Sequence, residues 1–110
     1  MQATAAQAKQ IPDICIEACA KHFGIRVDEL KTKTSRRHDE VYKRYICFYL
    51  IKRNHPPISY DGIAKHFGMS FSTVQHGIDS IEDQIKTVSY RWVIGDLRKI
   101  QALIDNFNDK

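Results

Sequence analysis

Residues Ile58–Ile78 read ISYDGIAKHFGMSFSTVQHGI, and this stretch decides the fold. Ser59 stands where a side-chain oxygen can cap a helix running to His66. Gly68 stops that helix, because glycine enters the left-handed conformation without steric cost. Ser70 offers a second cap, for a helix running to about Lys86. There Val74, Ile78, Ile81 and Ile85 step by four, three and four, the spacing of one buried helical face. Ala64 is small where the two helices would cross, and Ile63, Phe67, Met69 and Val74 fill core positions. A short turn of this kind sets the second helix at a steep angle, so that its N-terminal end can enter a DNA major groove. The spacing therefore predicts a helix-turn-helix, with Ser70, Phe71, Ser72, Gln75, His76 and Asp79 outward. Gly77 is the one unexpected core position, with Ile78 beside it as substitute.

The segment AKHFG within this stretch also occurs at Ala20–Gly24. Both copies read as helix ends: Lys and His suit the negative end of the helix dipole, Phe is the last core contact, and Gly is the stop. Ile25 and Met69 follow and turn back towards the core. The pair reads as a repeated local solution, since five residues are too few to prove a duplication.

Outward from these two points nearly every segment reads as helix. Pro12 suits a first helical turn, with Ile14, Ala18 and Phe23 continuing an apolar stripe. Val27–Leu30 is a short turn of helix. Asp39 to Arg53 is apolar on most of its circumference, as a central helix would be, and it ends at the NHPP that follows. A last helix over Ser89–Phe107 carries the stripe Val93, Leu97, Ile100, Ile104 and Phe107, with Tyr90 and Trp92 beside it. No sustained strand alternation is present. The expectation is an all-α fold of five to six helices around a central helix-turn-helix. Residues 1–10 (MQATAAQAKQ) form a flexible lead-in, 11–87 the main domain and 88–110 an additional helix.

A chain of 110 residues is one domain on length. No apolar run reaches the roughly 20 residues that cross a bilayer, and no signal-peptide layout opens the chain. From Lys31 to Arg53 there are eight basic residues and two acids, so this window carries +6 while the whole chain carries +4. A basic block in an otherwise near-neutral domain points to a polyanionic partner. Cys15, Cys19 and Cys47 make neither a disulfide framework nor a CxxC pair. Cys15, Cys19 and His22 can share a helix face. Small buried residues and a helix-end histidine explain them better than a metal site, since zinc takes a fourth ligand and closer pairs. No catalytic constellation stands out, so no enzyme activity, metal or cofactor is expected.

Three strings, CAKHFGIRVDELKTKTSRR, YICFYLIKR and ISYDGIAKHFGMSFSTVQHGIDSIEDQI, together resemble the C-terminal DNA-binding domain of DnaA-type replication initiators. The resemblance runs from about Ile11 to Ile85 and implies a Trp-repressor-like arrangement of helices. It also implies roles. Arg36, with Arg37 beside it, takes the place of the family's minor-groove arginine. Lys43, Arg44 and Lys52 fall at or beside positions that meet phosphate, and Thr73 and His76 match members of the recognition signature. The signature itself departs: the family's GGRDHTTV is GMSFSTV here, one residue shorter, with Ser70, Phe71 and Ser72 for the base-reading Asp, His and Thr and Met69 for the arginine. Base readout depends on donors and acceptors at the groove edge. The family's docking is therefore expected here without its usual target. No GxxxxGK[ST] loop is present, so the chain reads as a stand-alone relative without the ATPase.

The expected function is sequence-specific binding of double-stranded DNA by a regulator of replication or transcription, cytoplasmic and at the nucleoid. The competing class is a protein-interaction adaptor on the same scaffold, motivated by the acids Asp79, Glu82 and Asp83. The C-terminal stripe is expected to bury on the domain or on a second copy. A monomer is preferred slightly over a homodimer, because three heptads at most are short for a coiled coil.

Overall fold

The computed structural model describes residues 2–31, 38–87 and 90–108, with side chains for 11–31, 40–87 and 90–107. All of its regular structure is helical: α1 Gln2–Phe23, α2 Val27–Lys31, α3 His38–Asn54, α4 Tyr60–Phe67, α5 Phe71–Ile85 and α6 Arg91–Asn108.

Each boundary has a local cause. α4 starts at Ser59, whose hydroxyl accepts from the Gly62 amide, and α5 starts at Ser70, whose hydroxyl accepts from the Thr73 amide. Gly24 and Gly68 have φ of 68° and 64°, and they alone among the described residues take positive φ. After each glycine the next amide reaches back to the alanine of AKHFG: Ile25 N donates to Ala20 O at 3.0 Å and Met69 N to Ala64 O at 3.1 Å. These are the long bonds of a Schellman-type stop, and Ile25 and Met69 close against the core as such a stop requires.

One boundary differs from the expected one. The segment 2–10, expected as a flexible lead-in, is the first part of α1, and Pro12 lies inside the helix rather than in its first turn. The cause is composition: QATAAQAKQ is rich in alanine and glutamine, strong helix formers, and offers no competing cap close to Pro12. Pro12 brings no N–H to the ladder but already has a helical φ.

The core lies where α3 passes between α1 and α5. Phe48, Leu50, Ile51 and Ile46 of α3 meet Ile16 and the cysteines of α1, Ile63 and Phe67 of α4, and Val74, Ile78 and Ile81 of α5. Val93, Leu97, Ile100 and Ile104 of α6 are buried in the same cluster, so the C-terminal stripe covers its own domain. Phe107 stays exposed near the end of α6, and Tyr90 and Trp92 are exposed with their rings edge to face at 4.9 Å. The three cysteines are free and buried. Burial, with Cys19 adding to it, pushes the Cys15 thiol from 9.0 up to about 12. Burial and a hydrogen bond with Cys19 raise Cys47 as well.

α3 and α5 run side by side in the same direction. Val41, Arg44 and Tyr45 share a cleft with Gly68, Met69, Ser70 and Thr73, Tyr45 and Phe48 lie against Gly77, and Tyr49 and Arg53 share a groove with Ile85. The N-termini of both helices therefore open on one side of the domain.

Candidate nucleic-acid interface

The helix-turn-helix comprises α4, the turn Gly68–Ser70 and α5. Ile63, Ala64 and Phe67 bury one face of α4, and Val74, Gly77, Ile78 and Ile81 bury the facing side of α5. Burial of that side fixes which residues remain outward. Ser70, Phe71, Ser72, Gln75, His76 and Asp79 are all exposed. Phe71, at the first position of the helix, is 52 % exposed, an unusual place for a large apolar ring.

Thr73 differs from its expected companions. It is half-buried, its amide donates to Ser70 Oγ at 3.3 Å, and its hydroxyl lies 3.1 Å from the same oxygen. Thr73 thus completes the cap of α5. His76 stands at the edge of the outward face, its ring edge-on to Tyr45 of α3 with centroids 5.8 Å apart and planes at 85°.

A cleft of about 500 Å³ separates the start of α5 from the first half of α3, lined by Val41, Arg44, Tyr45, Gly68, Met69, Ser70 and Thr73. Arg44 is only 5 % exposed along its wall. Lys43 holds its ammonium 5.6 Å over the Phe23 ring, within cation–π range. Lys52 lies two turns beyond Arg44 and is engaged within the domain. Its ammonium donates to Pro56 O at 3.0 Å and to Ile58 O, and it lies 5.5 Å over the Tyr60 ring. It fastens the turn between α3 and α4. Arg36 and Arg37 lie outside the described residues, immediately before α3. The structure thus brings Arg44, Ser70 and Thr73 to one cleft, with Phe71, Ser72, Gln75 and His76 on the exposed face of the helix that begins there, and it sets Lys52 apart.

Beside the start of α3, three elements meet at Asp96 of α6. Its carboxylate accepts from the Tyr42 hydroxyl at 2.6 Å and lies 2.8 Å from His22 Nε2. Burial raises the Tyr42 phenol above its usual range, with the Asp96 hydrogen bond and charge adding to the effect. Sequence reasoning missed this tie, because nothing local links residues 74 positions apart. It also missed the packing of Tyr45 on Gly77. A signal for that was present: a glycine in a slot the helical spacing assigns to the core.

With this geometry in view, comparison with protein families gives one match. The family described as the bacterial dnaA protein helix-turn-helix matches residues 12–81, from within α1 to within α5. The chain belongs to that family, whose domain is a DNA-binding helix-turn-helix. α6 lies beyond the matched span. No curated protein and no solved structure matches the chain. None of the described helices is long and apolar enough to cross a membrane.

Proposed function

We propose that the chain is a sequence-specific binder of double-stranded DNA, acting as a monomeric regulator of replication or transcription at the nucleoid. α5 enters the major groove. The segment carrying Arg36 and Arg37 lies in the minor groove or on phosphates, and Lys43 and Arg44 meet the backbone beside it. Gln75 pairs with adenine and Phe71 packs on a thymine methyl, the partners their chemistry suits. Lys52 contributes least, because two of its three N–H bonds are already committed within the domain.

The observation that carries this reading is the exposed row Phe71, Ser72, Gln75 and His76 on the helix after a glycine turn, beside the cleft whose wall carries Arg44. Selection from random duplex tests it. A consensus site is expected, and Phe71→Ala and Gln75→Ala each change that site. Affinity falls steeply with salt, and Arg36→Ala or Arg44→Ala lowers the slope by about one. The DnaA family's own box binds no better than random sequence. Absence of duplex binding even in low salt overturns the proposal and favours a protein-binding role for the exposed acids Asp79, Glu82 and Asp83.

A further inference from the structure

We infer that Tyr45 of α3 is a specificity-positioning residue. It holds the His76 imidazole in one orientation on the recognition helix, and Gly77 is the device that lets it do so. The inference rests on the DNA-binding reading above and concerns a residue outside the helix-turn-helix itself.

The argument begins at Gly77. Its backbone is ordinary helix, so no left-handed conformation demands a glycine there. The demand is spatial. A Cβ at position 77 would stand 2.6 Å from Tyr45 Cδ1 and 2.9 Å from Phe48 Cδ2, distances that no packed methyl tolerates. Two aromatic rings of α3 thus occupy the volume that any other residue at 77 would need. Phe48 is buried and its ring is fixed in turn by Phe67, edge to face at 4.8 Å. Tyr45 is tilted against Phe48 at 6.1 Å, so it cannot retreat into the core.

What Tyr45 does with that fixed place is visible on its other side. His76 precedes Gly77 and points outward beside it, and the two rings meet edge to face. An exposed histidine on a helix ordinarily samples several rotamers. Here one side of the imidazole is closed off by a ring that is itself locked, and the remaining edge is directed to solvent. A histidine can donate or accept at a base edge, and its discrimination depends on the angle at which it arrives. Fixing the ring before binding removes an ordering cost and favours one geometry over others. Tyr45 also lines the cleft beside Ser70 and Thr73, so the residue that positions His76 spans from the start of the recognition helix to its second turn.

The test is selection from random duplex with wild type, His76→Ala, Tyr45→Phe, Tyr45→Leu and the double variant carrying Tyr45→Leu and His76→Ala. His76→Ala identifies the base position that the imidazole reads. At that position wild type should prefer one base by about tenfold, the lower end of what a good side-chain contact supplies. Tyr45→Leu fills the slot but has no flat ring. It should reduce that preference to about threefold or less while leaving other positions unchanged. Tyr45→Phe should keep it. The double variant should select the same site as His76→Ala alone, which a merely structural role for Tyr45 would not produce. Tyr45→Met, which also fills the slot without a flat ring, should reproduce the loss at that one position if Tyr45→Leu does not fold. An undiminished preference in Tyr45→Leu, or a loss spread evenly over every position, overturns the inference and leaves DNA binding intact. Failure of wild type to bind any duplex overturns both.

Discussion

The two copies of AKHFG end their helices in the same way and then part company. In each, an alanine carbonyl receives the amide that follows a left-handed glycine. Beyond that shared stop the environments differ. In the second copy Phe67 is buried edge-to-face on Phe48, whereas in the first Phe23 is half-buried and carries the Lys43 ammonium over its ring. The histidines divide in the opposite sense. His22 meets Asp96 at 2.8 Å with side chains 17 % and 23 % exposed, while His66 and Asp13 are 3.8 Å apart and 32 % and 54 % exposed. The same five residues thus anchor by the phenylalanine at one end and by the histidine at the other. Local sequence sets the turn, and the packing partner decides which residue carries the energy.

The largest test of that difference is at the phenylalanines. Phe67→Ala should cost about 3–5 kcal/mol in chemical denaturation, the usual range for a buried ring. Phe23→Ala should cost less than half as much, because its ring is only partly buried. Equal losses would show that burial does not separate the copies.

Alkali should probe the first copy more than the second. Cys19 precedes AKHFG there and Ile63 precedes it in the second, so only the first helix has thiols behind its stop. Cys15 is raised from 9.0 to about 12 by burial first and Cys19 second. A group raised in the fold stabilises it fully below its unfolded value and loses that effect as pH rises through the folded one. Stability should therefore fall between pH 9 and about 12, by at most about 1.4 kcal/mol per pH unit for one thiol. Cys15→Ala should flatten that limb, and an unchanged limb would assign it to other groups.

Where the copies agree, they should fail alike. An added methyl at Gly24 or Gly68 meets nothing within 4 Å, so only the backbone strain counts. Gly24→Ala and Gly68→Ala should each cost about 1–2 kcal/mol, and a large difference between them would break the equivalence of the two stops.

The smallest contrast is between the acids. Asp96→Ala should cost about 1 kcal/mol, since it removes partners from both His22 and Tyr42 in a partly sheltered site. Asp13→Ala, at a longer and wetter pair, should cost a few tenths at most. Thermal melts of the two variants decide the order.

What was legible in the sequence divides along the same line. Ser59, Ser70, Gly24 and Gly68 announce their helix ends because a cap or a stop is decided within a few residues. The stripes of α5 and α6 announce their buried faces because burial repeats with the helical period. α1 was misread at its start because proline suits a first turn on average, and the alanines before it outweigh that preference. Gly77 stands out in the sequence as a glycine in a core slot, but its partner Tyr45, the tie from Asp96 to His22 and Tyr42, and the engagement of Lys52 by the Pro56 and Ile58 carbonyls were not legible. Each depends on side chains brought together by the crossing of helices distant in sequence, and no local rule encodes such a meeting.

The shared direction of α3 and α5 has one more consequence. Helices packed antiparallel cancel most of each other's polarity, but two that run abreast add theirs, each presenting about half a positive charge at its leading end. Here both leading ends flank the cleft whose wall carries Arg44. This pair of helices thus adds a positive field at the cleft beside Arg44 and Ser70. Such a field reaches roughly a Debye length, about 8–10 Å at physiological salt. If the proposed docking holds, that field favours approach with the start of α5 foremost, which shortens the search among wrong orientations.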